Sequence, residues 1–158
     1  RQRQMCIRDS QYPAAHGFIP VMFSYIHEDE KKHPAMIIAP GGAYREVSPS
    51  EAHLPAMEFY GAGYNVFVLE YTINQLDEAA LKMQPLHDIS RAIRMIRSRA
   101  EEFHIRPDRI AVCGFSAGAH LCGSLSDLAF PVSDHFSYSL QYHLLLPNPT
   151  PHLSLIHI

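Results

Sequence analysis

The sequence runs to 158 residues, 47% hydrophobic and 18% charged, the make-up of one globular domain rather than a disordered chain. A formal net charge of −3, with no Lys/Arg block to neutralise phosphates, excludes a nucleic-acid partner. No stretch approaches the roughly eighteen apolar residues that a transmembrane helix needs, so no membrane partner is expected.

In chain order, 17–26 brings Phe18, Val21, Phe23 and Tyr25 in rough alternation, which predicts a half-exposed strand. The charged run from His27 to His33 reads as a solvated turn. Ala35-Met36-Ile37-Ile38-Ala39 is apolar without alternation, as expected for a parallel strand covered on both faces. It ends in Pro40-Gly41-Gly42-Ala43-Tyr44. A helix is predicted over 50–60, its first turn constrained by Pro55 and its end set by Gly61-Ala62-Gly63. Residues 65–71 form another β-rich run. Leu86, Ile89, Ile93, Ile96, Ala100 and Phe103 then recur at steps of three and four and predict one helix over 86–103. Pro107-Asp108 reads as a turn, 109–113 as a short strand, and 117–128 as a helix. The order β-β-α-β-α-β-α supplies the crossovers that parallel strands require. It predicts an α/β fold: a three-layer α/β/α sandwich around a mostly parallel sheet.

The two ends have a different texture. Residues 1–10 are polar without a period and lack the apolar core of a secretory signal, which slightly favours the cytoplasm. From Leu144 onward, leucines mix with Pro147, Pro149 and Pro151. The pieces 1–10 and 154–158 resemble peptides obtained when sequencing-adapter DNA is translated in frame. That resemblance implies non-native ends. It leaves 11–128 as a partial domain, cut off after the helix over 117–128, and 129–158 as an irregular tail. Cys6, Cys113 and Cys122 make no CxxC pair, and the 11 histidines form no HExxH or HxH cluster. No disulfide framework, metal or cofactor is therefore expected.

The chemistry gathers at Gly114-Phe115-Ser116-Ala117-Gly118. Gly-x-Ser-x-Gly alone is a weak pattern, but a hydrophobic strand enters this one and a helical segment leaves it. Gly114 and Gly118 allow strand and helix to approach closely, and Ser116 takes the strained corner with its hydroxyl exposed. The N–H of Ala117 would face the oxygen of a bound carbonyl. A second donor should come from a loop after an earlier strand. Gly42 and Ala43 occupy such a loop, Gly42 being the firmer assignment.

Three stretches together, Ile38 to Tyr44, Gly61 to Tyr71 and Cys113 to Leu121, resemble the α/β-hydrolase superfamily. More narrowly, they resemble the bacterial esterase/lipase group that includes acetylxylan-esterase-like and feruloyl-esterase-like enzymes. The likeness covers about 15–128. It implies Ser116 as nucleophile, an oxyanion hole of Gly42, Ala43 and Ala117, and a small-molecule or polysaccharide ester as substrate, acetyl esters foremost. Pro40 stands where many relatives have His, and Ala43 replaces a third Gly. Alanine keeps the N–H and asks only for a negative or mildly strained φ.

A serine needs a base, and the base an orienting acid. In this superfamily the acid and the histidine follow the nucleophile, after later strands. Only 42 residues follow Ser116, with Asp127 and Asp134 the acids among them. His120, one turn into the outgoing helix, is expected to play a structural part. His135 and His143 are read as tail residues, and Tyr44 is a candidate wall of the acyl pocket. The expectation is a carboxylester hydrolase in the parent protein and an inactive fragment here. The alternatives are a serine peptidase of prolyl-oligopeptidase type and a non-catalytic interaction protein on a hydrolase scaffold. The sequence leaves oligomeric state open.

Overall fold

A computed structural model describes residues 2–7, 18–76, 80–129 and 152–157. Six strands, β1 (Gln2–Cys6), β2 (Val21–Tyr25), β3 (His33–Ala39), β4 (Asn65–Glu70), β5 (Ile105–Gly114) and β6 (His152–His157), form one sheet. Its order is β1-β2-β4-β3-β5-β6. The β1–β2 and β2–β4 pairs are antiparallel, and the other three pairs are parallel. The sheet is thus mixed, with its parallel part around β3 and β5.

Successive side chains of a strand point to opposite faces, and the core divides accordingly. Ile37, Ala39, Phe67, Leu69, Ile110 and Val112 turn toward α2 (Gln84–Ser98) and α3 (Ala117–Ala129). Met36, Ile38, Val66, Val68, Ala111 and Cys113 turn the other way, toward Ala56 of α1 (His53–Gly61). Three layers result, an α/β/α hydrolase sandwich as predicted. The stripe Ile89, Ile93 and Ile96 of α2 is buried, each side chain contributing about 2 kcal/mol by leaving water. No helix among the described residues is long and apolar enough to cross a membrane.

Four details depart from the sequence reading. First, the predicted helix over 86–103 stops at Ser98. Ala100 and Phe103 stay buried, but in a turn that reverses at His104, where φ is +49°. The buried Asn65 side chain holds this turn by donating to the carbonyls of Phe103 and His104 at 2.7 and 3.2 Å. An apolar stripe reports burial, and a turn capped by a side-chain amide buries the same residues without a helical backbone.

Second, Pro107 and Asp108 lie inside β5, where the register against β3 slips between the His33–Ile105 and Ala35–Ile110 pairs. Proline is tolerated at such an irregularity because no ladder bond needs its missing N–H.

Third, the segment 1–10, read as a tail, contributes β1, with Met5 and Ile7 buried. Fourth, β6 falls within the expected irregular tail and runs parallel to β5 from the Arg109–His152 pair to the Gly114–His157 pair. β5 therefore has a strand on each side. Open sheet edges carry unpaired N–H and C=O groups, and both terminal runs satisfy such an edge.

Candidate active site

The candidate site stands at the C-terminal ends of β3 and β5. The Phe115 N–H donates to the Ala39 carbonyl at 3.1 Å, tying the two strand ends together just where both leave the sheet. Gly114 and Gly118 are buried, and neither could carry a side chain. A Cβ on Gly118 would collide with the carbonyls of Ala39 and Pro40, and one on Gly114 with the backbone of Gly118 and Ala119. This crowding is the physical content of the two glycines: α3 crosses directly over the end of the sheet.

Ser116 is exposed and has φ of +50°, in the left-handed region. A serine there is strained by about 1–3 kcal/mol, a cost borne by the packing around it. The residue thus stands exposed at the corner between β5 and α3. Ala117 begins α3, so the positive end of the helix dipole lies beside the hydroxyl.

The loop after β3 meets this corner. A Cβ on Gly41 would lie 2.7 Å from Ser116 Cβ and 2.9 Å from the Phe115 carbonyl, so only glycine admits the contact. Gly42, Ala43 and Tyr44 all have positive φ, at +128°, +53° and +61°. Ala43 therefore takes the strained alternative open to it. Turns within the loop use the Gly42 carbonyl, which accepts from Arg45 and Glu46 at 2.9 and 3.1 Å. The N–H of Gly41 is occupied by the Glu51 carboxylate at 2.8 Å. Among the described residues, none accepts from the N–H of Gly42, Ala43 or Ala117. The N–H groups of Gly42 and Ala43 are thus unspent in the loop whose first glycine packs on Ser116.

Sequence reasoning missed the supports of this loop. The Tyr71 hydroxyl donates to the Pro40 carbonyl at 2.7 Å, and the Asn74 N–H to the Tyr44 carbonyl at 2.8 Å. Burial raises the Tyr71 hydroxyl well above its ordinary pKa, with Tyr44, Cys122 and Glu51 adding to the effect. It therefore remains a donor throughout the neutral range. The Tyr44 hydroxyl sits 2.8 Å from His120 Nδ1. Burial, and then Cys122, push its pKa up to about 12, so the hydroxyl keeps its proton throughout the neutral range.

His120 is consequently turned toward Tyr44, and the two rings meet edge-on at 5.9 Å. Together with Ala43, Lys82, Leu86 and Ser124 they line a cavity of about 250 Å³, with Ser116 outside its lining. Asp127 lies on α3, about three turns beyond Ser116. Among the described residues, no histidine and carboxylate complete a triad with Ser116. Asp134, His135 and His143 lie outside the described residues.

Comparison with known proteins agrees with this architecture. The family model described as BD-FAE matches residues 24–129. Endo-1,4-beta-xylanase B of Butyrivibrio fibrisolvens is 47% identical over 115 residues, which make up 73% of this chain and 18% of that protein. The acetylxylan esterase of Xylanibacter ruminicola is 29% identical over 105 residues, 65% of this chain and 21% of the esterase. The crystal structure of MGS-M1, an α/β-hydrolase enzyme from a Medee basin deep-sea metagenome library, superposes with a TM-score of 0.69 at 34% identity. That match covers 80% of this chain and 50% of MGS-M1. The chain therefore spans about a fifth of the first two proteins and half of the third.

Proposed function

This chain belongs to the BD-FAE family of α/β-hydrolases, and on that premise we propose that its full-length protein hydrolyses carboxylic esters through an acyl-enzyme on Ser116. The observation that carries the reading is the exposed, left-handed Ser116 pressed against a loop with unspent N–H donors. Ser116 Oγ attacks the ester carbonyl while a base from the rest of the protein takes its proton. The carbonyl oxygen becomes an oxyanion held by the N–H groups of Gly42, Ala43 and Ala117. Collapse breaks the bond to the alcohol, which leaves with the proton returned by the base. Water repeats the sequence on the acyl-enzyme and frees the acid.

For substrate, the proposal is an acetyl ester on a polysaccharide. Support comes from the acetylxylan esterase, and from a xylanase as the other relative. Ser116 in a strand-to-helix elbow favours acyl transfer over glycoside cleavage, which uses a pair of flanking carboxylates instead. Tyr44 would wall the pocket beside the acyl group.

The test is covalent labelling. Intact mass of the full-length protein after exposure to a fluorophosphonate should rise by one adduct, and Ser116→Ala should show none while keeping its circular dichroism. Equal labelling of both proteins would dismiss Ser116 as the nucleophile.

A further inference from the structure

We infer that Glu51 is a positioning residue for the oxyanion loop, holding Gly41 so that the donors after it face Ser116. The inference rests on the ester-hydrolase reading above. Glu51 ends a short 3-10 helix, Pro49–Glu51, just before α1. Its carboxylate accepts from the Gly41 N–H at 2.8 Å, while the Gly41 carbonyl accepts from the Ser48 N–H at 2.9 Å. One short segment thus grips both backbone polar groups of Gly41.

Gly41 is the residue packed directly on Ser116. A Cβ built there would strike both the Glu51 Oε2 atom and Ser116 Cβ. Any shift of Gly41 is therefore transmitted to the distance between serine and loop. The three residues that follow all occupy left-handed backbone, and two of them, Ala43 and Tyr44, carry side chains that disfavour it. Such a run relaxes unless it is anchored. The Tyr71 bond to Pro40 and the Asn74 bond to Tyr44 anchor it from the α2 side of the sheet. Glu51 anchors it from the side of α1.

The choice of a carboxylate is informative. Among the described residues Glu51 makes no ion pair, and its negative charge near a developing oxyanion opposes catalysis electrostatically. What it supplies is an acceptor oxygen of the right reach for one backbone N–H, a part that a side-chain amide oxygen can also play. The bond also removes Gly41 from the set of donors open to substrate. That leaves Gly42 and Ala43 as the ones presented.

The experiment uses the full-length protein with 4-nitrophenyl acetate, with Ser116→Ala as the control for the underlying reading. Glu51→Gln keeps an acceptor oxygen at the same reach and should hold kcat within about threefold. Glu51→Asp keeps the charge but is one methylene short, and Glu51→Ala has no acceptor. Both should lose roughly 10- to 100-fold in kcat with KM within about twofold, as when a catalytic group is displaced by about 1 Å. Hydrogen exchange of the peptide spanning 41–48 should quicken in Asp and Ala variants and stay unchanged in Gln. If Glu51→Ala does not fold, the Gln and Asp variants carry the comparison. A Gln variant as impaired as the Asp variant, or an Asp variant with unchanged kcat, overturns the inference. Turnover that survives Ser116→Ala overturns the reading of Ser116 as nucleophile instead, and the exchange comparison still judges whether Glu51 holds the loop.

Discussion

Gly118 shows how much a single residue decides in this molecule. Its Cα faces the carbonyls of Ala39 and Pro40, so Gly118→Ala must push α3 off the end of β3. Overpacking of this kind costs about 1–3 kcal/mol, and here it also moves the serine corner. A urea midpoint shifted by that amount, with labelling of Ser116 slowed, is the expected result. An alanine variant as stable as the parent would mean that helix and strand are not in contact. Gly63 is the useful contrast. Unlike Gly118 it has positive φ, at +92°, and nothing lies within 4 Å of a Cβ placed there. Substitution at Gly63 should cost only the backbone strain, about 1 kcal/mol. Ser116 and Ala43 accept such strain, because their neighbours hold them in place.

Among the elements, the junction between β4 and α2 carries the most polar weight. Asp88 on α2 is 1% exposed and accepts from the Thr72 N–H and hydroxyl at 2.9 and 2.5 Å, and from Gln84 Nε2 at 3.2 Å. The same segment sends the Asn74 N–H to the Tyr44 carbonyl, so α2 steadies the loop after β3 through the chain that leaves β4. Asp88→Ala leaves the buried Thr72 N–H without this acceptor and should cost about 3 kcal/mol. Chemical denaturation would measure it. A loss under 1 kcal/mol would show that water replaces the carboxylate there. The periodicity of α2 was legible as a stripe, yet its end was not. Ala100 and Phe103 continue the stripe in a turn held by Asn65, which itself belongs to the distant strand β4.

For the molecule as a whole, burial sets the thiol chemistry and the alkaline limit. Cys6 is exposed, whereas Cys113 and Cys122 are buried. Alkylation of the native protein should modify Cys6 and reach the other two only after unfolding. Fast reaction at Cys122 would contradict the packing of α3 on the sheet. Burial pushes the Cys113 thiol up to about 11, and burial with Cys113 nearby pushes Cys122 up to about 12, both from 9.0. Tyr44 rises from 10.0 to about 12. In each case the folded state keeps a proton that the unfolded state releases. Their contribution to stability is complete below pH 9 and is lost as pH climbs toward 12. Denaturant midpoints should fall steadily across that interval and not between pH 7 and 8.5. On the ester-hydrolase proposal, the base that activates Ser116 comes from outside the described residues. With no base beside Ser116 among them, the 158-residue chain alone should hydrolyse a chromogenic acetyl ester more slowly than about 1 s⁻¹, the low end of ordinary turnover. Faster, Ser116-dependent turnover would place the base within these residues, and His135 and His143 would be the substitutions to make next.

What the sequence determined by itself is local in origin. Continuous apolar runs specify covered parallel strands, the spacing of Ile89, Ile93 and Ile96 specifies one buried helix face, and Gly-x-Ser-x-Gly between strand and helix specifies a corner. These signals sit within a few residues of what they describe. The tertiary structure decided whatever depends on partners far along the chain. Gly41 packs on Ser116, 75 positions away, and Glu51 is its acceptor. Tyr71 and Asn74 brace the loop, and His120 turns to Tyr44. The ends join the sheet as β1 and β6 although neither carries a strong strand pattern. A ladder's energy comes from the edge it meets, and that edge exists only once the chain has folded.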